Sequence, residues 1–265
     1  MLCSRLKCGK AGGLDNITYE HLKYAGRSLK KHLPHLFNLV IKYEFILKDW
    51  KYGCIITLHK GGNKSTKYPN NYRGITLLPV IFKLFENVIA NRLPEIFDSD
   101  NFPCKQQMAY QKWFSSLHTS FNLQEDISYL IKYGECVIVL FLNSTKAFDT
   151  VWHEGMLFKV YEIGIHGKCW RIFWNIYQDM ESCVVVNGLG SRKFKMKREI
   201  RQGSALSAQL YLIFIDGLLR EVESSKRGAM LTDLTEYSYT GWWYMFSCIQ
   251  VNWYDRFNWC LWKLQ

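Results

Sequence analysis

Two cationic side chains stand at the ends of two predicted strands, where they could contact one phosphate group. One strand, CIITLHK, ends at Lys60, and the other, YRGITLL, carries Arg73 at its second position. Arginine offers a planar fork of donors and lysine a compact point charge, so the pair suits a phosphate or a triphosphate. The alternative is that both are exposed cations at strand ends, and the spacing by itself leaves that alternative open.

The cysteines and histidines form no pattern of a metal site or of an activated nucleophile. None of the nine cysteines belongs to a C-x-x-C pair, which is the usual spacing of a zinc site. The histidines that could act in catalysis are also far apart in the sequence, at His59, His118, His153 and His166. The sequence therefore predicts reduced, mostly buried thiols and no zinc-dependent or histidine-based enzyme.

The positive charge of the chain is concentrated at its amino-terminal end. Residues Met1 to Phe85 hold fifteen Lys and Arg against four Asp and Glu, which equals the whole net charge of +11. A basic segment of this kind is typical of a surface that contacts a polyanion such as nucleic acid, although solvated lysines also serve solubility. Without a long apolar run near the amino terminus, the sequence predicts neither a secretory signal nor a membrane span.

The elements that would position these residues predict an α+β fold. Helical periodicity covers Tyr19 to Trp50, with Pro34 expected to break it into two helices. Strands are predicted as a long-looped hairpin that carries Lys60 and Arg73, a continuously apolar segment at Val137 to Leu142, and a second pair around Asn187 and Gly188. Further helices are predicted at 80–92, 116–132, 153–161, 167–180 and 205–223.

Four stretches, in matching order and spacing, resemble the motifs of LINE-like (non-LTR) reverse transcriptases. They are KAGGLDNI at 10–17, NNYRGITLLPVIFKLFENVIANRL at 70–93, FLNSTKAFDTVWH at 141–153 and IRQGSALSAQLYLIFIDGLL at 200–219. The resemblance implies a right-hand polymerase with an antiparallel palm sheet backed by helices. It places basic fingers at 1–135, the palm at 136–232, no thumb, and a degenerate or misframed tail at 233–265.

The resemblance also implies a role for particular residues. Lys60 and Arg73 would hold the triphosphate of a deoxynucleotide, and Phe148 would pack against its sugar and exclude a 2′-hydroxyl. Gln202 and Gly203 match the loop that lies near the nucleotide and the template. Considered by themselves, Phe148 is expected to be a core residue and the Gln-Gly pair a turn before a helix. RNA template and DNA primer are the partners that the family implies.

The family uses two Mg²⁺ ions held by carboxylates on adjacent palm strands, and this sequence lacks those carboxylates. Asn143 occupies the position of the first metal-binding Asp, and its neutral amide offers a carbonyl oxygen without charge. Asp149 matches a separate family position and is expected to cap or pair around Lys146 and His153. No two adjacent acidic residues follow Ser207. We therefore expect no productive metal binding.

These observations predict a cytoplasmic or nuclear reverse transcriptase-like domain that is catalytically inactive. Two alternatives stay open: a damaged copy of an active RNA-directed DNA polymerase, and a nucleic-acid-binding module derived from a polymerase. Neither a membrane nor an obligate protein partner is indicated by the sequence.

Overall fold

A computed structural model describes residues 6–96, 102–104, 107–111, 113–134, 137–141, 146–224 and 261–264 of the chain. The chain divides into two compact units. The first comprises residues 1–98 and 148–211, and the second comprises residues 99–147 and 212–265. The predicted fingers at 1–135, palm at 136–232 and tail at 233–265 are functional divisions, which these units do not test.

Mixed helices and strands follow one another in an order without strict alternation, as the α+β prediction expects. The helices are α1 Tyr19–Tyr24, α2 Arg27–Tyr43, α3 Val80–Ala90, α4 Leu93–Ile96, α5 Ser116–Lys132, α6 His153–Glu162, α7 Gly167–Tyr177 and α8 Ser207–Ser224. The strands are β1 Tyr52–His59, β2 Tyr72–Leu77, β3 Val137–Leu140, β4 Glu181–Val186, β5 Leu189–Gly190, β6 Phe194–Lys195 and β7 Leu261–Leu264. Short 3-10 turns at Lys48–Lys51 and Pro69–Asn71 precede β1 and β2.

The first unit contains a five-stranded mixed sheet. Its order is β2-β1-β4-β5, and β6 also pairs with β4. The predicted hairpin of β1 and β2 is confirmed, because the two strands pair antiparallel from Cys54 with Leu77 to His59 with Tyr72. Strand β1, which lies in the predicted fingers, runs parallel to β4, with Cys54 beside Cys183, whereas β5 and β6 pair antiparallel with β4.

The predicted second strand pair is also present. Strand β4 turns into β5 through Asn187 and Gly188, and both have positive φ angles, 51° and 80°. Two consecutive positive φ angles are the backbone of a tight hairpin turn, which asparagine followed by glycine adopts more readily than other residue pairs. The sequence signal and the observed geometry therefore agree at this turn.

Aromatic residues fill the core between α2, α3 and the turn before β1. Trp50 packs against Phe37, Phe82 and Phe85 with ring centroids 5.5 to 6.3 Å apart. These side chains are 6% exposed or less, so this cluster buries large apolar surfaces and fixes α3 beside the hairpin. Helix α2 contributes Leu33, Phe37 and Val40 from one face and continues through Pro34 without the predicted break.

The second unit contains α5, the later part of α8 and an antiparallel pair of β3 with β7. Within it, the buried carboxylate of Asp216 on α8 accepts a hydrogen bond from the Cys104 amide at 2.7 Å. The same carboxylate pairs with Arg220 at 2.5 Å. Of all helices in the described part of the chain, none combines the length and the apolar composition that a bilayer crossing requires.

Candidate nucleotide-binding site

Strand pairing places Lys60 and Arg73 on the same face of the β1–β2 hairpin. Arg73 lies opposite Leu58, and the Lys60 amide donates to the Asn71 carbonyl at 2.8 Å, which extends the ladder beyond β1. Opposed residues share a face and side chains alternate along a strand, so Lys60 and Arg73 are diagonal neighbours roughly 7 to 8 Å apart. The Lys60 ammonium donates to the Asn70 carbonyl at 2.7 Å. The two cations of the hairpin are therefore close enough to contact one bound ligand.

The outer edge of β2 is occupied by the loop that contains Gln202 and Gly203. The Thr76 amide donates to the Gln202 carbonyl at 2.8 Å. Gly203 has a φ of +133°, and a Cβ built on it would stand 2.4 Å from the Thr76 carbonyl oxygen. Only glycine permits this close approach, because a side chain would both clash and disfavour the backbone angle. The requirement for glycine thus arises from contact with the protein's own backbone.

The segment with Phe148 and Asp149 joins the same loop. The Ile200 amide donates to the Phe148 carbonyl at 2.9 Å, and the Gln202 side-chain amide donates to Asp149 Oδ1 at 3.0 Å. The Phe148 ring is 7% exposed and lies 4.8 Å from the Tyr211 ring. This burial matches the core alternative recognised from the sequence, and a role beside a nucleotide sugar stays a prediction.

Asp149 has a hydrogen-bond partner that the sequence did not indicate. Its carboxylate accepts from Gln202, whereas His153 is bonded elsewhere, through Nε2 to the Glu199 carbonyl at 2.9 Å. His153 is thus engaged with another residue, whereas capping or pairing of Asp149 around Lys146 stays a prediction.

Asn143, the residue at the expected metal position, lies outside the described residues. In the part of the chain that is described, no group of three or more His, Cys, Asp or Glu side chains could hold a metal ion. The donor set that the sequence provides at position 143 is a neutral amide, which is a poor match to a clamp for two divalent cations.

A buried arginine, which the sequence analysis did not select, anchors the loop to the sheet. Arg201 is 3% exposed, and its Nη2 donates to the Lys51 and Glu181 carbonyls, the latter at 3.3 Å. These carbonyls lie where β1 and β4 begin. Burial lowers the pKa of Arg201, and the nearby Glu86 carboxylate opposes that shift. The signal was present in the sequence, since Arg201 directly precedes Gln202 in the quoted motif.

Glu199 is a second charged residue that the sequence analysis left unassigned. Burial, together with the charge of Asp149, raises the pKa of its carboxyl to about 7. Its backbone has a φ of +98°, which side-chain-bearing residues rarely adopt. Its amide donates to the Val151 carbonyl at 2.9 Å. The strained position and the half-buried carboxyl both lie beside the Gln202 loop.

Comparisons with known proteins give the family. Residues 58–240 match the family described as reverse transcriptase (RNA-dependent DNA polymerase). The chain is 29% identical over 205 residues to the probable RNA-directed DNA polymerase from transposon BS of Drosophila melanogaster, covering 77% of this chain and 22% of that protein. It is 27% identical over 216 residues to the RNA-directed DNA polymerase from mobile element jockey of the same species, covering 80% and 23%.

Among the solved structures that resemble this chain is one described as apo telomerase from Candida tropicalis truncated from the C-terminal domain. The TM-score is 0.47 at 12% sequence identity, and the match covers 75% of this chain and 45% of that one. The present chain spans about a fifth of the length of the curated relatives that it matches. Because the family match covers more than half of its residues, this chain belongs to the reverse transcriptase family, with LINE-like non-LTR retrotransposon polymerases as its relatives.

Proposed function

We propose that this chain is a reverse transcriptase-like domain that binds a deoxynucleotide and an RNA template with a DNA primer, and that it does not polymerise. In this proposal Lys60 and Arg73 hold the triphosphate, Phe148 lies beside the sugar, and Gln202 with Gly203 contacts the nucleotide and template. Fingers at 1–135, a palm at 136–232 and a cytoplasmic or nuclear location belong to the same proposal.

The position of Gln202 supports this assignment more than any other observation. Its backbone carbonyl is bonded to Thr76 in the strand that carries Arg73, and its side chain is bonded to the residue after Phe148. Three sequence motifs far apart in the chain thus meet at one glutamine. A core could be built without such convergence, whereas a site for one nucleotide requires it.

The proposed lack of polymerisation rests on the metal ligands. Two Mg²⁺ ions held by carboxylates would supply several kcal/mol of transition-state stabilisation by neutralising charge that develops during nucleotidyl transfer. Asn143 offers no anionic oxygen, and no adjacent acidic pair follows Ser207. If the clamp contributes about 4 kcal/mol, its loss slows the reaction about a thousandfold.

Primer extension tests the inactivity. The purified chain is given an RNA template, a DNA primer, deoxynucleotides and Mg²⁺, and the same assay is run on a K60A/R73A double variant. We expect no extension product from either protein, because the variant and the parent lack the same metal ligands. Extension by the parent chain above the level of the double variant would overturn the proposal.

Deoxynucleotide affinity tests the binding function. Losing two charge-assisted contacts in K60A/R73A should weaken binding by about 3 kcal/mol, or roughly a hundredfold. A matched control, K42A/K168A, removes the same charge from exposed positions on α2 and α7. We expect the control to bind within about threefold of the parent chain. Equal losses in both double variants would mean that overall charge, rather than this site, attracts the nucleotide.

A retained RNA-binding module is a second candidate, favoured by the charge excess between Met1 and Phe85. Binding through many phosphate contacts should weaken steeply with salt, with a slope of log affinity against log salt of about −0.7 per contacted phosphate on single strands. Tight binding of single-stranded RNA with a slope steeper than about −3, together with no deoxynucleotide binding, would favour this candidate.

A further inference from the structure

Glu86 is a buried carboxylate on the apolar helix α3. Its side chain is 2% exposed, although the helix around it contributes Phe82, Phe85 and Ile89 to the core. Glu86 Oε1 accepts a hydrogen bond from the Ser204 hydroxyl at 2.6 Å, and Oε2 accepts from the Ala205 amide at 3.0 Å. Both carboxylate oxygens are therefore bonded to the two residues that follow Gly203.

Core packing does not account for this residue. Burial raises the pKa of the Glu86 carboxyl, while the bonds from Ser204 and Ala205 and the charges of Arg201 and Lys83 oppose that effect. Unpaired buried charge is strongly unfavourable, so a carboxylate here depends on its two hydrogen bonds. An apolar residue of similar size would fill the same space without this requirement. The contact with the loop is the distinguishing property of Glu86.

The loop from Arg201 to Ala205 is held at both ends. On one side the Gln202 carbonyl is bonded to the Thr76 amide, and on the other side Ser204 and Ala205 are bonded to Glu86. Gly203 lies between these two attachments, and its backbone contacts β2 more closely than a side chain would allow. Without the Glu86 bonds, the segment that connects Gln202 to α8 would still be held to the Arg201 carbonyl by the Ser204 amide at 3.1 Å and the Ser207 hydroxyl at 2.6 Å, but it would lose its attachment to α3.

We propose that Glu86 is a positioning residue for the deoxynucleotide site, acting through Ser204 and Ala205 to hold Gln202 and Gly203 against strand β2. The inference rests on the proposed function, since it assigns to Glu86 the task of keeping the nucleotide-contacting loop in place. Glu86 itself touches neither the nucleotide nor the reacting atoms.

Three variants separate positioning from general stability. E86M keeps the volume and removes both acceptors, whereas E86Q can accept from the Ala205 amide and donate to the Ser204 hydroxyl, so it preserves both contacts. Q209A is the matched control, because Gln209 Nε2 bonds the Ala90 carbonyl and ties α8 to α3 without touching the loop. The measurements are deoxynucleotide affinity and the hydrogen exchange of backbone amides in the peptide that spans 200–206.

We expect E86M to lose roughly tenfold or more in affinity and to speed amide exchange in the 200–206 peptide. E86Q and Q209A should stay within about threefold of the parent chain in affinity. If E86M fails to fold, S204A removes the hydroxyl bond to Glu86, together with the bond that Ser204 Oγ accepts from the Leu206 amide, and should show the same changes at smaller size. Unchanged exchange in E86M, or an equal loss in Q209A, would overturn the inference.

The two readouts also distinguish this inference from the proposed function. If the parent chain and K60A/R73A bind deoxynucleotide equally, the proposed function fails. Amide exchange in the loop still reports whether Glu86 positions it, because exchange is measured without any nucleotide. Faster exchange with unchanged nucleotide binding would leave Glu86 as a structural anchor and refute its role in the site.

Discussion

Replacing Gly203 with alanine should show how strongly the Gln202 loop depends on close backbone contact. The added Cβ would stand 2.4 Å from the Thr76 carbonyl oxygen. The backbone of the loop must therefore move at least 0.6 Å away from the backbone of β2 to reach a 3.0 Å contact. The residue must also keep a φ of +133° that side chains disfavour. Both effects act on the folded state alone.

The free energy of unfolding should fall by about 3 kcal/mol in G203A. Positive φ costs about 1 to 2 kcal/mol for a residue with a side chain. Separation of the backbones stretches the 2.8 Å bond between Thr76 and Gln202, and a buried donor left without its acceptor costs about 1 to 3 kcal/mol. The loss is therefore large compared with the total stability of 5 to about 15 kcal/mol that is usual for a domain.

G164A is the matched control for this experiment. Gly164 also has a positive φ, +92°, and a Cβ built there meets nothing within 4 Å. This variant should lose only the backbone term, about 1 kcal/mol. Urea denaturation of both variants, followed by circular dichroism, measures the difference. Losses in G203A and G164A that agree within about 0.5 kcal/mol would show that the contact with Thr76 is not tight, and the reasoning would fail.

Three further perturbations have defined outcomes. The Glu199 carboxyl, with its pKa raised from 4.5 to about 7, makes the protein less stable as pH rises through that interval. E199Q should therefore remove about 2 to 3 kcal/mol of the difference in unfolding free energy between pH 4.5 and 8, and an unchanged pH profile would contradict this. R201M should lower the free energy of unfolding, measured by urea denaturation, by about 3 to 5 kcal/mol. The substitution leaves the carbonyls that Arg201 bonds and the buried Glu86 carboxylate without their cation. A loss below about 1 kcal/mol would refute this expectation. F148A should cost about 3 to 5 kcal/mol by cavity formation beside Tyr211, whereas F148L, measured by the same denaturation, should cost less than half as much.

Local patterns in the sequence were enough to predict most elements of the fold. The hairpin of β1 and β2 and the turn at Asn187 and Gly188 form where alternation and turn residues placed them. These features depend on neighbours within a few residues, and their physical cause is therefore visible in a short window. Helix α5, from Ser116 to Lys132, has the bounds that its periodicity predicts.

The prediction at Pro34 was wrong because long-range packing outweighs a local penalty. Proline inside a helix removes one hydrogen bond and costs about 3 kcal/mol. Helix α2 nevertheless runs from Arg27 to Tyr43, since Leu33, Phe37 and Val40 are buried along one face and each contributes about 1.5 to 3 kcal/mol. The break between α1 and α2 instead lies at Ala25 and Gly26. A short sequence window cannot show what a helix face will contact.

The candidate site was predicted in part. The motifs selected Lys60, Arg73, Phe148, Gln202 and Gly203, and their roles at a nucleotide stay predictions. The structure sets Gly203 against Thr76 and bonds Gln202 to Thr76 and to Asp149, the residue after Phe148. The charged residues Arg201, Glu86 and Glu199 were not assigned, because the contacts that distinguish them are made with residues up to 150 positions away in the sequence. A charged residue within an apolar helix is the signal that would have identified Glu86.

The parallel neighbour of β1 has a consequence for the synthesis of this protein. Tyr52 pairs with Glu181, so the ribosome must release more than a hundred further residues before β1 gains its second partner. Until then one side of β1 exposes unsatisfied backbone groups that another chain can pair with. Nascent chains stalled between these two strands should aggregate more readily than those released after β4, which makes this interval the vulnerable period of folding.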